Sequence, residues 1–220
     1  MSRASRAQML EMSAARHDHL CPRQVLGVRI GLAGVTALGL DTPRRDKRLL
    51  VILETDGCFA DGIEAATGCT VGHRTLRIED YGKIAATFVD TETALAIRVH
   101  PQLNVRDKTA EYARGEARRY FAQLLSYQCM PDADLLAVQP VRLQVPVQQL
   151  VSRAGVRETC GNCGEEIINE RGVVLGGHLL CRSCAFGGYY GSLDAPSTLG
   201  SGSSTDPGTR ATGGHSLNLA

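Results

Sequence analysis

Neither sign of charge dominates this sequence. Lysine and arginine number 24 against 23 acidic residues, a formal net charge of +1. That balance argues against a broad nucleic-acid or membrane-binding surface. A membrane-length apolar run is also missing. The most apolar stretch, residues 25–40, is 16 residues long and contains Arg29, too short and too interrupted for a span. Residues 1–16 carry Arg3, Arg6, Glu11 and Arg16 and lack the apolar centre of a secretory leader. The expectation is therefore a reduced, cytoplasmic chain with no membrane partner, in which thiols serve metals or chemistry rather than disulfides. Residues 191–220 have almost no large apolar side chain and many Ser, Gly, Thr and Pro, which predicts a disordered tail.

What the chain does have is enough length for one core domain and a small appendage. Residues 1–16 predict a short helix. Over residues 24–40 apolar side chains wrap most of the way round a helix, which predicts burial. Gly27, Gly31 and Gly34 leave one shallow face on it, suited to close helix packing. Leu49-Leu50-Val51-Ile52-Leu53 is a continuous apolar run of strand length, expected at the centre of a sheet. A helix is expected over residues 58–67, closed by Gly68. Three short strands follow at 76–81, 84–89 and 95–99, with turns between them that predict antiparallel pairing. One amphipathic helix is expected over 108–129, then strands at 135–138 and 141–145. The fold class is α+β, a single mixed core over residues 5–150. Residues 148–159 read as a linker, and 155–190 as a small separate module.

That module carries the strongest chemical pattern. Cys160-x2-Cys163 and Cys181-x2-Cys184 are separated by 17 residues, the spacing that closes one tetrahedral zinc site. Four protein thiolates leave no open position, so the zinc would be structural. It would organise a segment too small to fold on apolar burial alone, with a small hairpin over 167–180. Arg153, Arg157, Arg171 and Arg182 are cancelled by Glu158, Glu165, Glu166 and Glu170. Without a basic stripe, a nucleic-acid reader is not expected, and a protein-contact or dimerisation module is.

A second cluster lies near the N-terminus in His17-Asp18-His19-Leu20-Cys21-Pro22. In an extended segment His17, His19 and Cys21 share a face; in a helix only His17 and Cys21 do. Pro22 favours extended backbone at Cys21 and suits the first turn of the following helix. Cys58 follows the central strand and opens the next helix. Together these residues offer three protein ligands and one open coordination position, the pattern of catalytic and substrate-binding zinc sites. Asp61 and Lys83 are the candidate proton carriers or polar partners. The plainer alternative keeps Cys58 and Cys69 as buried thiols and Lys83 as a solvated turn residue.

Beyond single motifs, the order and spacing of several stretches resemble the FmdE family, named for a component of formylmethanofuran dehydrogenase. They are His17-x-His19-x-Cys21-Pro22, Glu54-Thr55-Asp56-x-Cys58, Asp61-Gly62-Ile63-Glu64, Thr67-Gly68-Cys69-Thr70-x-Gly72 and Asp80-Tyr81-Gly82-Lys83. The cysteine module resembles the treble-clef finger of some members, similar to the TraR/DksA-type C4 finger. The resemblance implies an α+β core, a homodimer and a metal site around the His/Cys stretch and Cys58. This chain departs from the family at two positions: Arg23 stands where glycine is usual after Cys-Pro, and His73 where lysine is usual. Three functions fit: a metal-binding accessory or cofactor-handling protein linked to C1 or molybdenum/tungsten-enzyme metabolism, with a small-molecule or cofactor ligand; a zinc-dependent enzyme using the core site; and a regulatory protein that binds a protein partner through the finger.

Overall fold

The structure, a computed structural model, describes residues 4–44 and 46–191. The predicted tail, from residue 192 onward, lies outside them. Between Arg153 and Ala154 the chain divides into two compact units.

In the first unit, α1 (Arg6–Ala14) starts at Ser5, whose hydroxyl accepts the Gln8 N–H while Gln8 caps back. The long helix α2 (Pro22–Ala37) starts on Cys21, in extended conformation with Pro22 in the first turn. Next come β1 (Leu49–Leu53) and α3 (Cys58–Thr67), which stops at Gly68 in the left-handed conformation. Strands β2 (Leu76–Ile78), β3 (Ala86–Asp90) and β4 (Ala96–Pro101) precede α4 (Thr109–Tyr112) and α5 (Arg119–Cys129). The short α6 (Asp132–Leu135), β5 (Leu136–Val141) and α7 (Val147–Val151) complete the unit.

The five strands form one sheet in the order β2-β1-β3-β4-β5. β1 is buried along both faces because the sheet has apolar cover on both sides. Val51, Leu53, Phe88 and Val99 meet the helices, including Val25, Ile30, Phe59 and Ile63. Leu50, Val89 and Ala96 on the opposite face pack with Val147 of α7. The mixed α+β core expected from the sequence is what the chain forms.

Several local expectations need correction. β2 runs parallel to β1 rather than joining an antiparallel set. The α3 crossover returns the chain in the same direction, which a tight turn could not do. The helix expected over 108–129 is broken between Tyr112 and Arg119. Gly115 takes φ +87°, a left-handed conformation that ends helical propagation. The two strands expected near 135–145 are one, Leu136–Val141, paired with β4 along its length. Its Pro140 is tolerated because β5 lies at a sheet edge. Part of the presumed linker is ordered, as α7 and as β6 (Arg157–Thr159).

Among its described residues the second unit holds two hairpins, one more than the hairpin expected over 167–180. β6 pairs with β7 (Glu166–Ile168), and β8 (Val173–Leu175) with β9 (His178–Leu180). The short α8 (Arg182–Phe186) follows Cys181.

Candidate metal centre and the thiol end of the core

In the second unit the four cysteines converge as their spacing predicts. Their sulfurs all lie within 4.8 Å of one another, with Cys163 and Cys181 3.9 Å apart. Bonds of about 2.3 Å from a tetrahedral zinc would put the sulfurs about 3.8 Å apart, so the donor set fits such an ion. Backbone geometry supports the arrangement. The Cys181 N–H donates to the Cys160 sulfur at 3.2 Å, and the Gly164 N–H closes the first knuckle on the Cys160 carbonyl at 3.0 Å. Backbone N–H groups from Cys163 and Cys181 hold the Cys160 thiol at about 6, well below its ordinary value. A thiol poised this way is readily the thiolate that a metal needs.

In the core unit the decisive feature is the direction of three helices. A Cβ on Gly62 would meet the Gln24 carbonyl oxygen at 2.3 Å, one on Gly27 the Phe59 carbonyl oxygen at 2.4 Å, and one on Gly31 the Ala66 side chain at 2.7 Å. Gly27 meets Phe59, Gly62 and Ile63, and one turn on Gly31 meets Ile63, Ala66 and Thr67, so α2 and α3 run the same way and start at the same end of the core. Both starts carry a thiol. Cys21 is the N-cap of α2, its sulfur accepting the Gln24 N–H at 3.4 Å while Gln24 Oε1 accepts the Cys21 N–H at 2.7 Å. Cys58 is the first residue of α3. Burial, and then the adjacent Cys21 side chain, push the Cys58 thiol up.

The third helix is fixed by Arg29. Its buried guanidinium donates to the carbonyls of Tyr127 at 2.8 Å and Met130 at 2.7 Å, and to Asp132. That places the end of α5 beside the middle of α2. Desolvation, and then the charges of Cys21 and Cys58, raise the Tyr120 phenol. Tyr120, in the first turn of α5, is thus within electrostatic reach of the thiols at the starts of α2 and α3. Tyr120 reads in sequence as one more apolar position of an amphipathic helix. Only the direction of α5 shows its relation to the thiols.

The other candidates are placed in different ways. The run from His17 to His19 is a series of bends, neither the strand nor the helix weighed from sequence. His17 Nε2 pairs with Asp61 Oδ2 at 2.5 Å, and Arg16 joins Asp61 at 3.5 Å and also binds Glu64. Asp61 is therefore the carboxylate that orients His17 and ties the segment to α3. His19 is exposed. Lys83 lies in a loop docked on the end of β1, where the Tyr81 and Lys83 N–H groups donate to the Glu54 carbonyl at 2.9 and 3.1 Å. Its ammonium sits 6.0 Å from the Tyr81 ring centre. Cys69 is a buried thiol directed at the Leu49 carbonyl, and His73 bonds Thr70 in its own turn at 2.9 Å. Arg23 is exposed. Among the described residues, the second-unit cysteines are the one set of three or more ligand atoms gathered within 4.8 Å. In the core, Cys21 and Cys58 meet as a pair, with the histidines outside it. An apolar groove lined by Leu38, Leu95, Ile97, Val141 and Leu143 lies at the opposite end of α2.

Comparison with known proteins gives three findings. Residues 16–136 match the family described as FmdE, molybdenum formylmethanofuran dehydrogenase operon. A protein of Archaeoglobus fulgidus called a probable S-adenosyl-L-methionine-binding protein is 30% identical over 196 residues, covering 79% of this chain. The match spans 51% of that protein, so this chain corresponds to about half the length of the relative. The crystal structure of a tungsten formylmethanofuran dehydrogenase FmdE-like protein from Syntrophus aciditrophicus superposes with a TM-score of 0.53 at 21% identity. It covers 86% of this chain and 99% of that one, and establishes the likeness of fold.

Proposed function

The chain belongs to the FmdE family, and we propose that within it this protein is a metal-binding accessory or cofactor-handling protein of C1 or molybdenum/tungsten-enzyme metabolism. In this reading the two units divide the work. Cys160, Cys163, Cys181 and Cys184 hold a structural zinc, which replaces the apolar core that so short a segment lacks. The working site is the thiol end of the core, where Cys21 and Cys58 bind a second ion and His19, exposed two residues before Cys21, swings in to supply an imidazole. The carrying observation is that two thiols stand at the N-termini of two parallel helices, where a bound cation would draw both to the thiolate against the burial that raises the Cys58 thiol. Asp61 holds His17, and with it the ligand-bearing segment, against α3. Positions left open on the ion, beside Tyr120 and the Lys83 loop, are where a small molecule or cofactor would bind. A zinc-dependent enzyme would use the same open position as a Lewis acid.

A second reading concerns the C4 unit as a dimerisation module. It is supported by exposed apolar side chains on the hairpin and after the last cysteine: Val174 at 72%, Phe186 at 59% and Tyr190 at 65% exposure.

One set of proteins tests both readings: the full-length chain, Cys21→Ser and Cys160→Ser, each analysed for metal content and sedimentation. About two zinc ions per chain are expected in the parent and about one in each variant. Only Cys160→Ser is expected to shift a dimer toward monomer. Unchanged metal content in a folded Cys21→Ser protein overturns the core site. An unchanged dimer in Cys160→Ser overturns the dimerisation role.

A further inference from the structure

We propose that Cys21 and Cys58 are a redox-active dithiol that closes to a disulfide by exchange with a low-molecular-weight disulfide when no ion occupies the core site. The proposal rests on the core-site reading in one respect: metal and disulfide compete for the same two sulfurs.

Three observations carry it. The first is the pairing itself. The two thiols, 37 residues apart by numbering, come together at the starts of α2 and α3: Cys21 stands three residues before Gln24 and Cys58 four before Gly62, where the two helix backbones touch, and both are free. The second is the rigidity of that meeting. Gly27 and Gly62 bring the two helix backbones together with no side chain between them, so the sulfurs sit on closely packed, well-fixed supports. The third is an asymmetry of access. Cys21 is 8% exposed and held as the cap of α2, whereas Cys58 is only partly buried. An incoming disulfide therefore reaches Cys58 first, with Cys21 behind it.

The chemistry follows from these positions. The Cys58 thiolate attacks one sulfur of the small disulfide RSSR, whose S–S bond breaks to release RS⁻. The mixed disulfide at Cys58 is then attacked by the Cys21 thiolate, which expels the second RS⁻ and forms the Cys21–Cys58 bond. The two thiol protons leave on two RSH. Two electrons pass from the protein to RSSR, so the dithiol is oxidised and the small disulfide reduced. The other thiols of the core lack such a partner. Cys69 faces a backbone carbonyl, and Cys129 is exposed, with its sulfur against the carbonyls of Tyr112 and Ser126. A cytosol-like thiol pool keeps the pair reduced and able to bind metal, and an oxidising one closes the site.

The test uses the full chain, zinc-loaded or with the core ion removed by mild chelation. Each sample is incubated with oxidised glutathione, quenched with a maleimide and mapped by peptide mass spectrometry. Without the core ion, the cross-linked Cys21 and Cys58 peptides are expected in roughly tenfold excess over glutathione adducts at either residue, because the second attack is intramolecular. Cys129 is expected to stop at the glutathione adduct. The Cys21→Ser variant is expected to trap glutathione on Cys58. Persistent adducts on Cys58 in the parent chain, or cross-linking of Cys21 to a different cysteine, overturn the dithiol. The metal reading fails separately: equal cross-linking with and without zinc means that the ion is not held by these sulfurs, while the dithiol stands. Zinc protection from maleimide with no cross-link in the zinc-free chain means the reverse.

Discussion

Gly27→Ala probes the packing that creates the thiol end. The added methyl would lie 2.4 Å from the Phe59 carbonyl oxygen and 2.9 Å from the Gly62 Cα, both backbone atoms. Ordinary contact begins near 3.4 Å, so the helices must open by about 1 Å, since backbone cannot step aside by changing rotamer. Overpacking of this kind costs about 1–3 kcal/mol, and the fixed obstruction puts this site at the upper end. Alanine recovers about 1 kcal/mol through its better helix propensity. The net loss is about 2 kcal/mol. With a urea dependence of about 2 kcal/mol per molar, the unfolding midpoint should fall by about 1 M. Because the clash lies near the starts of α2 and α3, core zinc should also be held more weakly, while the C4 zinc stays in place. Gly72→Ala is the control: nothing lies within 4 Å of its added methyl, and the expected change is below about 0.5 kcal/mol. A Gly27→Ala protein with a midpoint equal to or above the parent's would refute the close parallel packing of α2 and α3.

Two further outcomes follow from polar groups that the fold buries. Arg29→Met should cost about 2–4 kcal/mol in urea unfolding, because the Tyr127 and Met130 carbonyls lose a charged donor, although methionine avoids burying the charge. Asp132→Asn, at a residue whose side chain is 70% exposed, should be nearly neutral; equal losses in both would place the stabilisation in the ion pair instead. Asp90 concerns acid stability: two bonds from Arg48, at 3.0 and 2.9 Å, hold its carboxyl at about 2 against an ordinary 3.8. The folded value is the lower one, so this stabilisation is complete above about pH 4 and is lost as pH falls toward about 2. Allowing for solvent around the partly exposed Arg48, it amounts to about 1–2 kcal/mol. The stability gap between parent and Asp90→Asn should therefore shrink from about pH 6 to about pH 2. A gap that is constant with pH would count against the ion pair.

Much of this protein was determined by the sequence itself, wherever the physics is local. Pro22 after Cys21 forces extended backbone and starts α2; the run from Leu49 to Leu53 can only be a strand buried on both faces; Gly68 ends α3. The two CxxC pairs dictate the C4 cluster, because each knuckle fixes two sulfurs and one short loop joins them. The glycines of α2 announced a close approach, though not which helix made it.

Tertiary structure decided what depends on direction and non-local pairing. The parallel course of β2 follows from a crossover, and the break before α5 from one glycine's left-handed backbone. The N-terminal run showed a His/Cys cluster. The fold separates it, giving His17 to Asp61, leaving His19 exposed and setting Cys21 against Cys58. Tyr120 sits within electrostatic reach of both thiols, on a helix whose far end is held by a buried arginine that in the sequence merely interrupts an apolar stretch. Residue types at short spacing reveal which chemistry is available. The relative direction of helices distant in sequence decides which of those groups meet.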